Sequence, residues 1–304
     1  MLTMSDEFVD YLLRHLRWSI TIAVIIVVLI VGFVWWNFIW QSPQHIFSDM
    51  LTNSLDTNSV TKQLIASTNS QSINQIVRLE MGSTNAAEWL VTVSQSNTSV
   101  TSDSIGTPTT GYIRYTSIAI HPSTVSKAAE FKSLVNVWGK DDGKTDVSLG
   151  TLFNKTLLDI LNAPLPPIGN ITGSERQSLV SYDLNQNVFT VNYAQVKSAN
   201  FEGQNVYIYP VAVHLGPYVR MMQSFAHSLG ITDLESYNPD QFSTLAPVEL
   251  NISVNKLSHE MVEVSYPANG FIQTYSDWGL LKSVPIPSKT IPTTILEARI
   301  QSLQ

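Results

Sequence analysis

The sequence predicts an α+β chain: an N-terminal transmembrane helix followed by a curved antiparallel β-sheet with helices packed against one face. Three observations carry this. An uncharged apolar run extends from Trp18 to Trp40. Val248, Leu250, Ile252 and Val254 alternate strictly with Glu249, Asn251 and Ser253, a pattern of half-buried antiparallel strands rather than buried parallel ones. Segments of helical apolar spacing separate groups of strand-like segments, giving the order helix, strands, helix, strands, helix, strands.

Composition removes several classes. The 304 residues are 44% apolar and 13% charged and contain no cysteine, so the chain is neither a disordered polar tract nor a disulfide scaffold. Seventeen Lys and Arg against 24 Asp and Glu give a formal charge of −7, which argues against a nucleic-acid partner because neutralising phosphates needs a basic face.

The segment 18–40 is long enough, at about 1.5 Å per residue, to cross a hydrocarbon layer of roughly 30 Å. Trp18 at one end and Trp35, Trp36 and Trp40 at the other suit the two interfacial belts. A cleavable signal peptide would have a shorter apolar core followed by small residues, whereas this run ends in WWNFIWQSP, so it is expected to stay as the anchor. An acyl anchor is excluded by the lack of cysteine. Arg14 and Arg17 precede the run and the next basic residue is Lys62, which orients the N-terminus to the cytoplasm. The expected organisation is a cytoplasmic tail over 1–17, a single membrane-spanning helix over 18–40 in the cell membrane, and an extracytoplasmic domain over 41–304. The tail reads as a short amphipathic helix with Phe8, Tyr11, Leu12 and Leu16 at helical spacing.

After the span, Ser42-Pro43 forms an N-cap and first-turn proline, and Ile46, Phe47, Met50, Leu51 and Leu55 give the following helix one apolar face to about Asp56. Val60–Ile65, Ile73–Met81, Ala86–Ser94 and Tyr112–Ile120 are rich in β-branched and aromatic residues and read as strands. Residues 95–111, dominated by Ser, Thr, Asn and Gly, read as a long hairpin end or a loop. A helix is expected from Val147 to Leu161, capped by Asp146, with Leu149, Leu152, Phe153, Leu157 and Ile160 as its stripe. The run from Ala163 through Pro164, Pro166 and Pro167 stops it, as a rigid loop rather than a domain boundary. Val188–Val196 and Val206–Val213 read as strands, with Pro210 marking the second as an edge or a bulge. Gly216-Pro217 opens a helix that Gly230 closes, and Tyr218, Met221, Met222, Phe225 and Leu229 line one side of it. Val248–Val254, Met261–Tyr266 and Phe271–Tyr275 form a three-stranded meander, and a last short helix lies near Thr294–Leu303.

Catalytic motifs do not emerge. His259-Glu260-Met-Val-Glu263 lacks the second histidine of a zinc-protease box, and the other histidines are scattered, so no metal is expected. There is no thiol nucleophile and no G-x-S-x-G elbow. Gly139–Asp146 lacks both the glycine spacing of a phosphate loop and the alternating ligands of a calcium loop, and reads as a tight turn. No catalytic residue and no cofactor is assigned. Met and Phe on a helix stripe beside a Tyr- and Val-rich sheet face can instead line an apolar pocket, and Tyr207, Tyr209, Met221, Met222 and Phe225 are the candidate ligand-binding residues.

The helix PQHIFSDMLTNSL leading into strands, the block VYIYPVAVHLGPYVRMMQSFAHSLGI, the hairpin VELNISVNKLSHEMVEVSY and the ending YSDWG…VPIP resemble the extracytoplasmic lipoprotein carriers of the LolA/LppX-like type. The resemblance covers most of 43–290 as an order of elements. It implies a half-barrel with helices packed on its concave face and a cavity that shelters acyl chains of a lipid or lipoprotein. The chain departs from those carriers in its membrane helix, which implies local handover or sensing rather than shuttling. The expected function is therefore a membrane-anchored, non-enzymatic binding protein of the cell envelope. Its partners would be the bilayer, a lipid or lipoprotein ligand and an envelope protein. The alternative is a structural or protein-interaction scaffold on the same fold.

Overall fold

The computed structural model describes residues 6–67, 71–82, 85–95, 98–120, 132–141, 164–232, 234–268, 270–280 and 283–302. The chain divides into two compact units, Met1–Ile46 and Phe47–Gln304.

In the first unit, helix α1 (Asp6–Trp35) runs directly into one π-helical turn, Trp36–Trp40. The turn gathers the tryptophans expected at the outer boundary: the Trp40 ring lies 5.6 Å from that of Trp35 and 6.2 Å from that of Trp36. Apolar side chains from Ile20 to Val34 are exposed on every side of α1. Among the described residues no helix is long and apolar enough to cross a membrane, so the span expected over 18–40 finds no support there. Helix α2 (Pro43–Ser54) begins as the Ser42-Pro43 pair predicts, with the Ser42 hydroxyl accepting the His45 N–H at 3.3 Å.

The second unit is built on one sheet. Its described strands are β1 (Ser59–Ser67), β2 (Gln71–Glu80), β3 (Ala86–Gln95), β4 (Thr98–Gly106), β5 (Gly111–Ile120), β6 (Gly139–Lys140), β7 (Phe189–Val191), β8 (Lys197–Phe201), β9 (Gln204–Val213), β10 (Val248–Asn255), β11 (Met261–Tyr266), β12 (Phe271–Ser276) and β13 (Ile291–Pro292). They pair in the order β13-β6-β5-β4-β3-β2-β1-β12-β11-β10-β9-β7, with β8 also on β9. Two meanders thus join where β1 meets β12, and only the short β13–β6 pair is parallel. Among the described strands the ends of this curved sheet, β13 and β7, do not pair with each other, so the sheet is not closed.

The register connects one face across nine strands: Tyr209, Ile252, Val264, Gln273, Leu64, Gln75, Val91, Ser102 and Tyr115 are successive cross-strand partners. Because side chains alternate along a strand, this row fixes which residues share that face. Helices pack on it. Phe47 of α2 meets Tyr209 at 5.2 Å between ring centroids. Tyr218 of helix α4 (Leu215–Ser228) meets Phe189, the cross-strand partner of Val213, at 5.9 Å. Leu296 of helix α5 (Thr293–Gln301) and Leu134 pack with Ile113, Tyr115 and Ile118. The opposite face carries polar cross-strand pairs, among them Arg78–Glu88 at 2.8 Å and Arg114–Asp103 at 2.7 Å, with the Arg114 guanidinium 4.5 Å over the Trp138 ring. Burial pushes the Asp103 carboxyl up, and its hydrogen bonds from Arg114 oppose that shift.

Three expectations need correction, and one helix is additional to them. Within residues 95–111, read as a long hairpin end or a loop, Thr98–Gly106 is instead strand β4, paired with β3 along its whole length. Its serines and threonines suit a sheet because they bond across it, Thr92 to Thr101 and Ser94 to Ser99, each at 3.1 Å. The expected strand Val188–Val196 is instead the short β7, a 3-10 turn Tyr193–Gln195, and then β8 from Lys197. Pro210 lies in neither an edge strand nor a bulge of β9, which is paired on both sides. It falls where the outer neighbour changes, β7 reaching Val211 and β8 starting opposite Ile208, so no ladder bond is asked of its missing N–H there. Finally, helix α3 (Gly173–Gln186) was not expected. It is started by a capping box, with Thr172 Oγ1 accepting the Glu175 N–H at 3.5 Å and the Glu175 carboxylate accepting the Thr172 N–H at 3.2 Å. Those bonds to Thr172 hold the Glu175 carboxyl below its usual range. The helix expected over 147–161, and most of the turn over 139–146, lie outside the described residues.

Candidate functional site

The helix-bearing face of the sheet changes character along its width. Over β9 to β12 it is sealed: Tyr209, Ile252, Val264 and Gln273 are all buried. Toward the far ends of β1 to β5 a second row of direct partners, Ala66, Ile73, Val93, Val100 and Ile118, carries apolar side chains that are only half-buried. Leu64 and Val91, one residue pair further in, are half-buried as well. Partly exposed apolar side chains on the same face that elsewhere forms the core leave some apolar area facing water, which is unfavourable by about 25 cal/mol per Å² unless something covers it.

Four of the five residues singled out by sequence occupy the sealed part. Tyr209 is 0% exposed, Met221 3%, Met222 2% and Phe225 0%. Tyr207 is half-buried, stands edge-on to Tyr209 at 6.1 Å, and has the Lys256 ammonium 3.9 Å above its ring. Burial pushes the Tyr209 phenol upward, and the neighbouring Tyr193 and Tyr207 add to the shift. The two tyrosines are together, as the period-2 pattern of β9 predicts. Phe225 lies in another neighbourhood, over Gly169, where an added Cβ would come within 2.7 Å of its ring. Met221, Met222 and Phe225 form the buried side of α4, as the helical spacing predicts.

What sequence reasoning missed here is the clamp on the proline-rich loop. The Tyr218 hydroxyl donates to the Leu165 carbonyl and accepts the Leu165 N–H, both at 2.9 Å, and the Tyr266 hydroxyl donates to the Pro164 carbonyl at 3.4 Å. A loop with three prolines has few N–H groups of its own, so side chains of α4 and β11 tie it down instead. Tyr218→Phe removes both partners of Leu165 at once and is expected to lower stability by about 2 kcal/mol, read as a urea midpoint shift of the full chain.

No family model matches the chain, and no curated protein matches it. Among solved structures the chain is similar to LprF from Mycobacterium bovis, with 12% sequence identity over 80% of this chain and 96% of that chain and a TM-score of 0.39.

Proposed function

We propose that the chain is a membrane-anchored extracytoplasmic protein that works by binding rather than by catalysis, and that it shelters a hydrophobic ligand, a lipid or the acyl chain of a lipoprotein. The half-buried apolar row Ala66, Ile73, Val93 and Val100 carries this reading: among the described residues the face that helices seal over β9 to β12 is only partly covered at the far ends of β1 to β4, while α5 packs on Ile118 of β5. A flexible acyl chain matches such a surface because it gains from non-directional apolar burial and asks for no polar partner. Tyr209, Met221, Met222 and Phe225, buried in the sealed part, and the half-buried Tyr207 then support the fold that presents this row. The anchor is the uncharged segment 18–40, with Arg14 and Arg17 holding the N-terminus on the cytoplasmic side.

The test is native mass spectrometry with lipid extraction on the full chain, released gently from membranes. An acyl lipid at defined stoichiometry is expected in the wild type. Val93→Asp, which puts a charge in the middle of the row, is expected to reduce the bound fraction at least tenfold without shifting the urea midpoint by more than about 1 kcal/mol equivalent. A clean apo mass in the wild type, or lipid retained fully by Val93→Asp, would overturn the reading and leave the scaffold alternative.

A further inference from the structure

A second concavity lies apart from the apolar row and has the opposite chemistry. It encloses about 360 Å³ and is lined by Asn53, Asp56, Thr57, Asn58, Asn170, Glu260, Trp278 and Gly279. Four separate stretches of chain meet there: the end of α2 and the approach to β1, the loop before α3, the residue before β11, and the turn after β12.

The lining is fixed in a way that leaves acceptors over. Asn53 donates its amide to the carbonyls of Ser258 and His259 at 3.4 and 3.3 Å, and Asn170 donates its amide to the Met81 carbonyl at 3.1 Å. A carbonyl partner demands the nitrogen of each amide, so each side-chain oxygen remains for another donor. Asp56 forms a backbone bridge with Asn170, and its carboxylate is paired with Arg176. The half-buried Glu260 carboxylate makes no hydrogen bond or ion pair among the described residues. Trp278 donates its indole N–H to the Met261 carbonyl at 3.0 Å, which pins the ring, and Gly279 at φ +66° closes the turn beside it by donating to the Ser59 carbonyl at 2.9 Å.

These features select a ligand class. An anion would need a free cation, but Arg176 is already engaged by Asp56. An acyl chain would desolvate amides and carboxylates without replacing their hydrogen bonds. A hard cation would need six to eight converging oxygens, and the charge available is two carboxylates, one of them neutralised by Arg176. A ligand with many hydroxyl donors and a flat C–H face satisfies amide and carboxylate oxygens and covers an indole at once. We infer that this cleft is a carbohydrate-binding site taking one or two pyranose rings of an uncharged glycan. Its volume lies in the range of about 300–1,000 Å³ usual for small-ligand sites. The inference stands independently of the lipid reading.

The experiment uses the full chain in phosphatidylcholine nanodiscs, which avoids sugar-headed detergents. Cellobiose, maltose, lactose and N,N′-diacetylchitobiose are added at millimolar concentration, with saturation-transfer NMR as the readout. Transfer to at least one disaccharide is expected, with its ring C–H protons most strongly saturated. Glu260→Ala, whose carboxylate supports nothing else in the fold, is expected to weaken that binding at least tenfold, and Trp278→Phe is expected to weaken it further. Absence of transfer from all four sugars to a folded chain overturns the inference, and so does binding that Glu260→Ala leaves unchanged.

Discussion

Phe225→Ala is expected to lower the stability of the sheet-and-helix unit by about 3–5 kcal/mol, because it empties a fully buried aromatic site whose surroundings cannot collapse. The reason lies on the opposite side of the ring. Gly169 sits beneath it with no side chain, and the Gly169 N–H is committed to the Ser54 carbonyl at 2.8 Å, so the loop cannot move in to fill the space. Gly169→Ala probes the same contact from below: a Cβ there lies 2.7 Å from two ring carbons of Phe225, well inside van der Waals distance. Overpacking of this kind is expected to cost about 1–3 kcal/mol. The two sites are in contact, so their effects must not add. In a Phe225→Leu background the Gly169→Ala cost is expected to fall by about 1 kcal/mol or more, measured as a coupling energy from urea midpoints of the four chains. Strict additivity would show that the ring and the loop do not share this space.

The strands that face water on one side were legible, because alternation is written into them: β10 reads Val-Glu-Leu-Asn-Ile-Ser-Val, and its register with β9 follows. Strand β4 was not legible, since Thr and Ser occupy both of its faces and its stability comes from hydroxyl pairs with β3 that only the register reveals. Helix α3 buries only Leu179 and Asp183, too few for an apolar stripe, although Thr172 and Glu175 three residues apart carried the available start signal. The helix stripe of α4 and the face of β9 were both read correctly, yet they did not show that Phe225 would stand over a glycine 56 positions earlier, at 169. The apolar row over β1 to β5 is a property of cross-strand partners from five strands, and the polar cleft is assembled from four distant segments. Neither has a local pattern, because in both cases the chemistry lies in neighbours that the chain brings together only on folding.

Asp183→Asn is expected to stabilise the protein at neutral pH and to leave it almost unchanged near pH 4. Asp183 is buried on α3 near its C-terminal end, and burial pushes its carboxyl up to about 6, against the partial compensation of the Phe189 N–H that donates to it at 2.9 Å. The helix end is an unfavourable place for negative charge, since the last carbonyls point toward it. Tyr193 responds to the same carboxylate: its phenol is pushed up by burial and then by the charge of Asp183. A carboxyl whose folded pKa exceeds its unfolded value of 3.8 holds its proton more tightly in the folded state. Its contribution is therefore fully present below about pH 4 and is lost as pH rises through about 6, a difference of about 3 kcal/mol by pH 8. Asparagine keeps a carbonyl oxygen for the Phe189 N–H and carries no charge, so the variant escapes this loss. Its advantage over the wild type is expected to grow from about zero at pH 4 to about 1–3 kcal/mol at pH 8, the amide N–H groups offsetting part of the gain because they need partners of their own. Paired urea titrations at the two pH values separate this group from the other carboxylates, whose titration is common to both chains. An advantage that is constant with pH would mean that Asp183 is charged in the folded protein, and that the Phe189 N–H and nearby water solvate it well enough to cancel its burial.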